Sequence, residues 1–350
     1  MSVDEILAKR LVFLSGKGGV GKSVLAATLA WISARKGRRT LLVELDTIET
    51  IPKIFGRPDY TGKYQETELA PGLSSLHVDG KSGLEEYLQM VLKSRKFVQR
   101  VFRSPLYQYF INIAPGLKEL MAVGKLWDLE RKANPATREP LYDLLIVDTP
   151  ATGHTVSYLQ MPLTAAGTVK RGLVRKEAQK VVDLLQDPAK TSFHIVTTLA
   201  EMPVNEAIEL HETVSTRLGM PVGCLFVNQV YPPFLEGSDL ESFRAWQEGL
   251  HRESAPAEPV PPGDPRAHER AILSCAESWK RRREAQEVQW ARLRRGIPAS
   301  ALVGLPLVYD AESPLQLVQV LSRALETPGG RSGASPTIEV AGHGSDRVGS

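Results

Sequence analysis

The chain has 350 residues, 42% apolar and 24% charged, with a net charge of +3, which is the profile of an ordinary globular chain long enough to bury a full core. So small a charge excess argues against a nucleic-acid partner. Cys224 and Cys275 lack the spacing of a disulfide framework or a zinc knuckle, and no run of about eighteen apolar residues is present to span a bilayer.

The start mixes Asp4, Glu5, Lys9 and Arg10 and has no signal-peptide core, so a reducing, cytoplasmic setting is expected. Short apolar runs bounded by turn residues then recur at Leu11 to Ser15, Thr40 to Leu45, Leu76 to Val78, Leu144 to Val147, Ile195 to Thr198, Val222 to Val227 and Leu302 to Leu307. They read as buried strands of a mostly parallel sheet. Helical patterns lie between them, such as Ser23 to Lys36, which stops at Gly37. This alternation predicts an α/β, doubly wound fold in one domain over residues 1–326.

Two segments exceed a simple crossover and are expected to be helical insertions, at about 82–135 and about 163–190. In the first, Leu84, Tyr87, Leu88, Val91 and Leu92 share a helical face, and a second helix is expected after Gly116 with Leu117, Leu120 and Met121 together. The second repeats the pattern with Val174, Ala178, Val181, Val182 and Leu185, giving an inserted helical subdomain above the sheet. Further on, Pro256, Pro259, Pro261, Pro262 and Pro265 enforce an extended loop over 252–266, and a charged helix from Ala267 to Arg295 follows. Its run Lys280 to Arg283 is set among glutamates, as on a solvated face. The tail 327–350, poor in bulky apolar residues, is expected to be disordered.

Chemistry concentrates after the first strand. Gly16, Lys17, Gly18, Gly19, Val20, Gly21, Lys22 and Ser23 match G-x-x-x-x-G-K-[ST] between a strand and a helix, with Val24 continuing into that helix. Glycines let successive amides turn toward phosphate oxygens, the helix N-terminus adds positive potential, Lys22 reaches the terminal phosphates and Ser23 ligates Mg²⁺. ATP and Mg²⁺ are the expected ligands. The run ending in Val147 delivers Asp148, a second Mg²⁺ ligand, beside Ser23.

The loop K-G-G-V-G-K-S, with its extra Lys17, resembles the deviant Walker A class of P-loop ATPases. That class contains the arsenical-pump, tail-anchored-protein targeting, Min and Par ATPases and nitrogenase iron protein. The resemblance implies that Lys17 crosses a dimer interface to the nucleotide of the opposite subunit; a solvated loop lysine is the alternative. Asp148, Thr149, Pro150, Ala151, Thr152, Gly153, His154 and Thr155, followed by Leu159 and Pro162, resemble the switch segment D-T-A-P-T-G-H-T-x-x-x-L-x-x-P of the arsenical-pump and tail-anchored-targeting branch. Pro150 and Ala151 are transposed relative to it. The chain therefore looks like a bacterial member with a single P-loop, and His154 reads as a switch residue or as an ordinary surface histidine.

Asp46, after the second strand, matches the family aspartate that orients the attacking water, although the D-P-A-H sequence of close relatives is replaced by Asp46, Thr47, Ile48 and Glu49. Glu44 is the nearby alternative. Val227, Asn228 and Gln229 resemble the adenine-reading segment, where Asn228 either pairs with the base or shapes a turn, and Pro306 with Leu307 would wall the base. Thr198, Ala200 and Glu201 resemble a T-x-A-E segment with no role derivable from sequence.

The resemblance implies a nucleotide-switched homodimer, or a heterodimer with a paralogue, that drives a client. Arsenite has no thiolate cluster to bind and zinc no C-x-x-C pair. The apolar helical insertion serves either as a groove for a hydrophobic helical client or as core. A Min- or Par-like switch on a surface, with a peripheral membrane partner, and an anion-transport ATPase subunit are the other readings.

Overall fold

Neighbouring residues of each apolar run face opposite ways, and this alternation fixes the architecture. Leu11 and Phe13 enter one buried core while Val12 and Leu14 enter another, and Leu145 and Val147 divide in the same manner from Leu144 and Ile146. A strand apolar on both sides needs a helical layer on each face.

The computed structural model describes residues 2–46, 50–57, 65–80, 83, 116–168, 171–232, 243, 245–246, 265–297, 300–326 and 338–339. Its strands are β1 (Leu11–Gly16), β2 (Thr40–Leu45), β3 (Thr67–Ala70), β4 (Leu73–Val78), β5 (Leu144–Ala151), β6 (Thr191–Thr198), β7 (Val222–Val230), β8 (Leu302–Pro306) and β9 (Ile338–Glu339). They form one sheet in the order β3-β4-β2-β5-β1-β6-β7-β8-β9. Pairing is parallel throughout except at the margins, where β3 on β4 and β9 on β8 run antiparallel. The expected doubly wound α/β sheet is therefore present, with β1 between β5 and β6.

One face is covered by α1 (Val3–Leu7), α2 (Lys22–Arg35), α3 (Ile51–Ile54) and α9 (Pro314–Glu326). The other carries α4 (Leu117–Arg131), α5 (Thr152–Thr168), α6 (Leu173–Gln186), α7 (Glu201–Glu212) and α8 (Pro265–Gly296). Helix α7 runs on through a wider π turn, Thr213–Arg217.

Of the first expected insertion, α4 is described and its predecessor, with Leu84 to Leu92, lies outside the described residues. Ala122, Val123, Leu126 and Leu129 of α4 are buried in the core shared with α5, α6 and the sheet, whereas Leu117, Leu120 and Met121 are half-buried. In α6 the residues Ala178, Val181, Val182 and Leu185 are buried. Most of the proline-rich loop is likewise outside the described residues; Pro265 and Arg266 form the start of α8, a position proline tolerates because a first-turn amide has no helical acceptor. In the tail, Ile338 and Glu339 form β9, and the other residues lie outside the description. Among the described residues no helix is long and apolar enough to cross a membrane.

Candidate active site

Strand β1 ends in the glycine-rich loop at the carboxyl side of the sheet, where adjacent strands leave in different directions and ligands of such folds bind. Two glycines are required by their surroundings. A Cβ on Gly16 would lie 2.0 Å from the Val196 carbonyl oxygen, and one on Gly21 would lie 2.3 Å from Asn228 Nδ2 with φ at +95°. Gly18 and Gly19 are exposed and Val20 is buried beneath them. Gly21 also serves as the N-cap of α2 without a side chain, so the first-turn amides have no side-chain cap. A helix start of this kind is an anion site.

Lys22 folds back over the loop, its Nζ donating to the carbonyls of Gly16 and Lys17 at 3.1 Å each. Burial lowers its pKa, opposed by the charges of Asp148 and Glu206. Val24 is half-buried in the first turn of α2.

Ser23 Oγ donates to Asp148 Oδ2 at 2.5 Å. Asp148 Oδ1 is buried and has no hydrogen-bond partner among the described residues. Burial pushes this carboxyl up to about 6, against the pull of Ser23 and Lys22 and with help from the like charge of Glu44. A hydroxyl and a desolvated carboxylate oxygen beside a phosphate cradle fit a hard divalent cation that keeps waters and phosphate among its ligands.

Glu44 stands in register with Asp148 on the neighbouring strand and is equally buried. Its Oε1 accepts from Thr50 N at 2.6 Å, Ile51 N at 3.1 Å and Thr50 Oγ1 at 3.2 Å, so it holds the start of α3. Asp46 lies beyond the end of β2 with φ at +47°, its amide donating to Val78 O at 2.9 Å and its carboxylate accepting from Tyr158. Thr47, Ile48 and Glu49 lie outside the described residues.

Hydroxyls fasten the switch segment to β1. Thr149 Oγ1 donates to Leu14 O at 2.9 Å, Thr155 Oγ1 to Pro150 O at 2.8 Å, and Ser15 Oγ to Thr155 Oγ1 at 3.0 Å. Thr152, Gly153 and His154 open α5, with Gly153 and His154 exposed. Thr152 Oγ1 reaches Glu206 Oε2 at 3.3 Å, and the other oxygen of Glu206 is paired with Lys17.

On the far side, Asn228 Nδ2 donates to Val20 O at 2.9 Å and its Oδ1 accepts from Gln229 N at 3.0 Å. Gln229 has φ at +59° and lies in a bulge of β7 between Val227 and Val230, where the pairing with β8 shifts register. Leu307 N donates to Val230 O at 2.9 Å, which sets Pro306 and Leu307 beside that bulge.

The structure thus gathers Lys17, Lys22, Ser23, Asp148, Thr152 and Asn228 around one loop. Sequence reasoning did not single out Glu206 or Tyr158. Glu206 sits on the helix that the T-x-A-E segment opens, and Tyr158 occupies a variable position of the switch pattern.

A strand, a glycine-rich turn and a helix with uncapped amides, carrying Lys and Ser next to a buried aspartate, define a P-loop ATPase. The chain belongs to the anion-transporting ATPase family, whose profile matches residues 9–177, a stretch that holds the loop, Asp46 and the switch segment. Over 236 residues it is 32% identical to ATPase BagA of Mycobacterium tuberculosis, covering 66% of this chain and 68% of that one. It is 25% identical over 282 residues to ATPase GET3B of Arabidopsis thaliana, covering 66% and 67%. With the arsenical pump-driving ATPase of Escherichia coli the identity is 25% over 252 residues, 67% of this chain and 42% of that longer protein.

Proposed function

We propose that the protein hydrolyses ATP with Mg²⁺ as a nucleotide-switched dimer, and that the cycle drives targeting or transport of a client with a hydrophobic segment. The observation that carries the catalytic part is the Ser23 and Asp148 pair, with one buried carboxylate oxygen left without a partner among the described residues. Mg²⁺ would neutralise charge on the terminal phosphates when bound between these two residues and the nucleotide. Loop amides and the start of α2 would hold the β- and γ-phosphates. Lys22, already directed across the loop, would exchange its two carbonyl acceptors for phosphate oxygens. Asp46 would orient the attacking water.

Lys17 supports the dimer reading by its place. It sits at the outer lip of the loop, half-exposed, and its ammonium is paired with Glu206. A second subunit offering a triphosphate would replace one anionic partner by a stronger one, so the transfer need not strand a charge. The client reading rests on the family resemblance and on the relatives, whose names span arsenical pump driving and GET3B. The described helices α4 and α6 bury their apolar faces against α5, one another and the sheet, so a groove would have to draw on the segment before Gly116.

The deciding experiment is steady-state phosphate release with and without Mg²⁺, alongside light scattering in ADP and in a non-hydrolysable ATP analogue. Mg²⁺-dependent turnover with a doubled mass only in the triphosphate state is the expected result. Turnover by a species that stays monomeric throughout would overturn the dimer. Binding of a hydrophobic helical peptide that differs between the two nucleotide states is expected for the client function, and nucleotide-insensitive binding would oppose it.

A further inference from the structure

We propose that Tyr158 is a positioning residue for hydrolysis, tying the carboxylate of Asp46 to the helix that follows the switch segment. The proposal rests on the reading of Asp46 as the residue that orients the attacking water.

Asp46 is held at both ends. Its amide donates to Val78 O at 2.9 Å, and its carboxylate accepts from the Tyr158 hydroxyl. Between these anchors the backbone sits at φ +47°, a conformation that non-glycine residues adopt at a cost and that persists where surroundings over-determine it. The tyrosine is the fixed partner. Its ring is 4% exposed and packs into the core between sheet and helices beside Leu159. A buried tyrosine normally directs its hydroxyl to an acceptor, and here that acceptor is the one carboxylate assigned to water. Burial and the charge of Asp46 hold the phenol's pKa well above its ordinary range, so the phenol is the donor in this pair.

One oxygen of Asp46 is thereby engaged and the carboxylate plane is set, leaving the second oxygen to accept from a water. Loss of the phenolic hydroxyl would free that plane to rotate without emptying the ring's place in the core.

Helix α5 makes the contact more than local. Thr155, one turn before Tyr158, is bonded to Ser15 at the root of the phosphate loop and to Pro150 O. Thr152, at the helix start, shares Glu206 with Lys17. A single helix therefore bears on the loop, on the Lys17 partner and on Asp46. Any shift of α5 on binding a triphosphate would carry the Asp46 carboxylate with it. The T-G-H-T-x-x-x-L pattern leaves position 158 variable, so this link is a property of the present chain's own tyrosine.

The test compares Tyr158→Phe, Asp46→Asn and the double variant in the full chain, by multiple- and single-turnover ATP hydrolysis, KM for ATP and thermal unfolding. Asp46→Asn alone decides the underlying reading; wild-type turnover in that variant would remove it, and the proposal with it. Given a slow Asp46→Asn, Tyr158→Phe is expected to lower kcat by about tenfold with KM within about twofold, the scale of one hydrogen bond to a charged group. In the Asp46→Asn background the same change is expected to add no further loss. An unchanged kcat in Tyr158→Phe, an equal loss in both backgrounds, or a fall in kcat matched by a rise in KM and a lower melting temperature would each overturn the positioning role.

Discussion

Asn228 Nδ2 donates to the carbonyl of Val20, so the strand end expected to meet the base is stitched to the loop expected to meet the phosphates. The amide and the loop are close enough that a Cβ on Gly21 would collide with it. Asn228→Ala is therefore expected to weaken binding of triphosphates of any base alike, by about tenfold, since a lost buried hydrogen bond costs roughly 1–2 kcal/mol. Affinities for ATP and GTP measured side by side check this. A loss confined to ATP would mean that the amide leaves Val20 for the adenine.

Asp148 is buried beside Glu44, with its pKa raised from 3.8 to about 6. A carboxyl whose folded pKa is raised favours folding below its unfolded pKa and loses that contribution as pH rises through about 6. At neutral pH without metal the charge thus costs on the order of 1–3 kcal/mol. Asp148→Asn is expected to abolish Mg²⁺-dependent turnover while raising the melting temperature in metal-free buffer at pH 7. A variant both inactive and less stable would show that the carboxylate is held by more than Ser23.

Lys17 and Glu206 are each about 30% exposed on their side chains, at 30% and 31%, so their pair contributes little to folding, of order 1 kcal/mol or less. Lys17→Ala is expected to stop turnover while sparing most nucleotide binding. Glu206→Gln releases the lysine and is expected to lower the protein concentration needed for triphosphate-dependent association. Unaltered turnover in the first variant would end the idea of a lysine supplied between subunits.

The strand, loop and helix of the phosphate site were legible because their residues are contiguous and each type has a separate task. The central strands were legible from their apolar runs, although the first half of β6, Thr191 to His194, is buried and was missed because Thr191, Ser192 and His194 are polar. Strand β3 was not, since Thr67–Ala70 is a half-buried edge of four residues with no apolar run. The choice between Glu44 and Asp46 stayed open in sequence because only Leu45 separates them. In the structure Glu44 accepts from Thr50 and Ile51, while Asp46 turns out of the strand at positive φ and accepts from Tyr158. Lys17 and Glu206 lie 189 positions apart, and local patterns carry no information across such a separation.

His194, on β6, is fully buried, with Nε2 beside Ser192 Oγ at 2.9 Å and Nδ1 accepting from Cys224 N at 3.2 Å. Burial lowers its pKa from 6.5 to about 4, and it raises the Cys224 thiol to about 12. Because the unfolded chain binds the extra proton in this window, the stabilisation is complete above pH 6.5 and is lost as pH falls toward 4. The loss is at most about 3 kcal/mol. Urea unfolding at pH 7.5 and 4.5 is expected to show a smaller drop for His194→Gln than for the parent. Equal drops would place the acid sensitivity elsewhere.

Among the described residues both margins of the sheet close on short reversed strands, β3 with four residues and β9 with two. Short edges leave few unpaired amides in a row, which limits recruitment of foreign chains by strand addition. Copies of this protein are therefore expected to resist fibrous self-stacking through these edges.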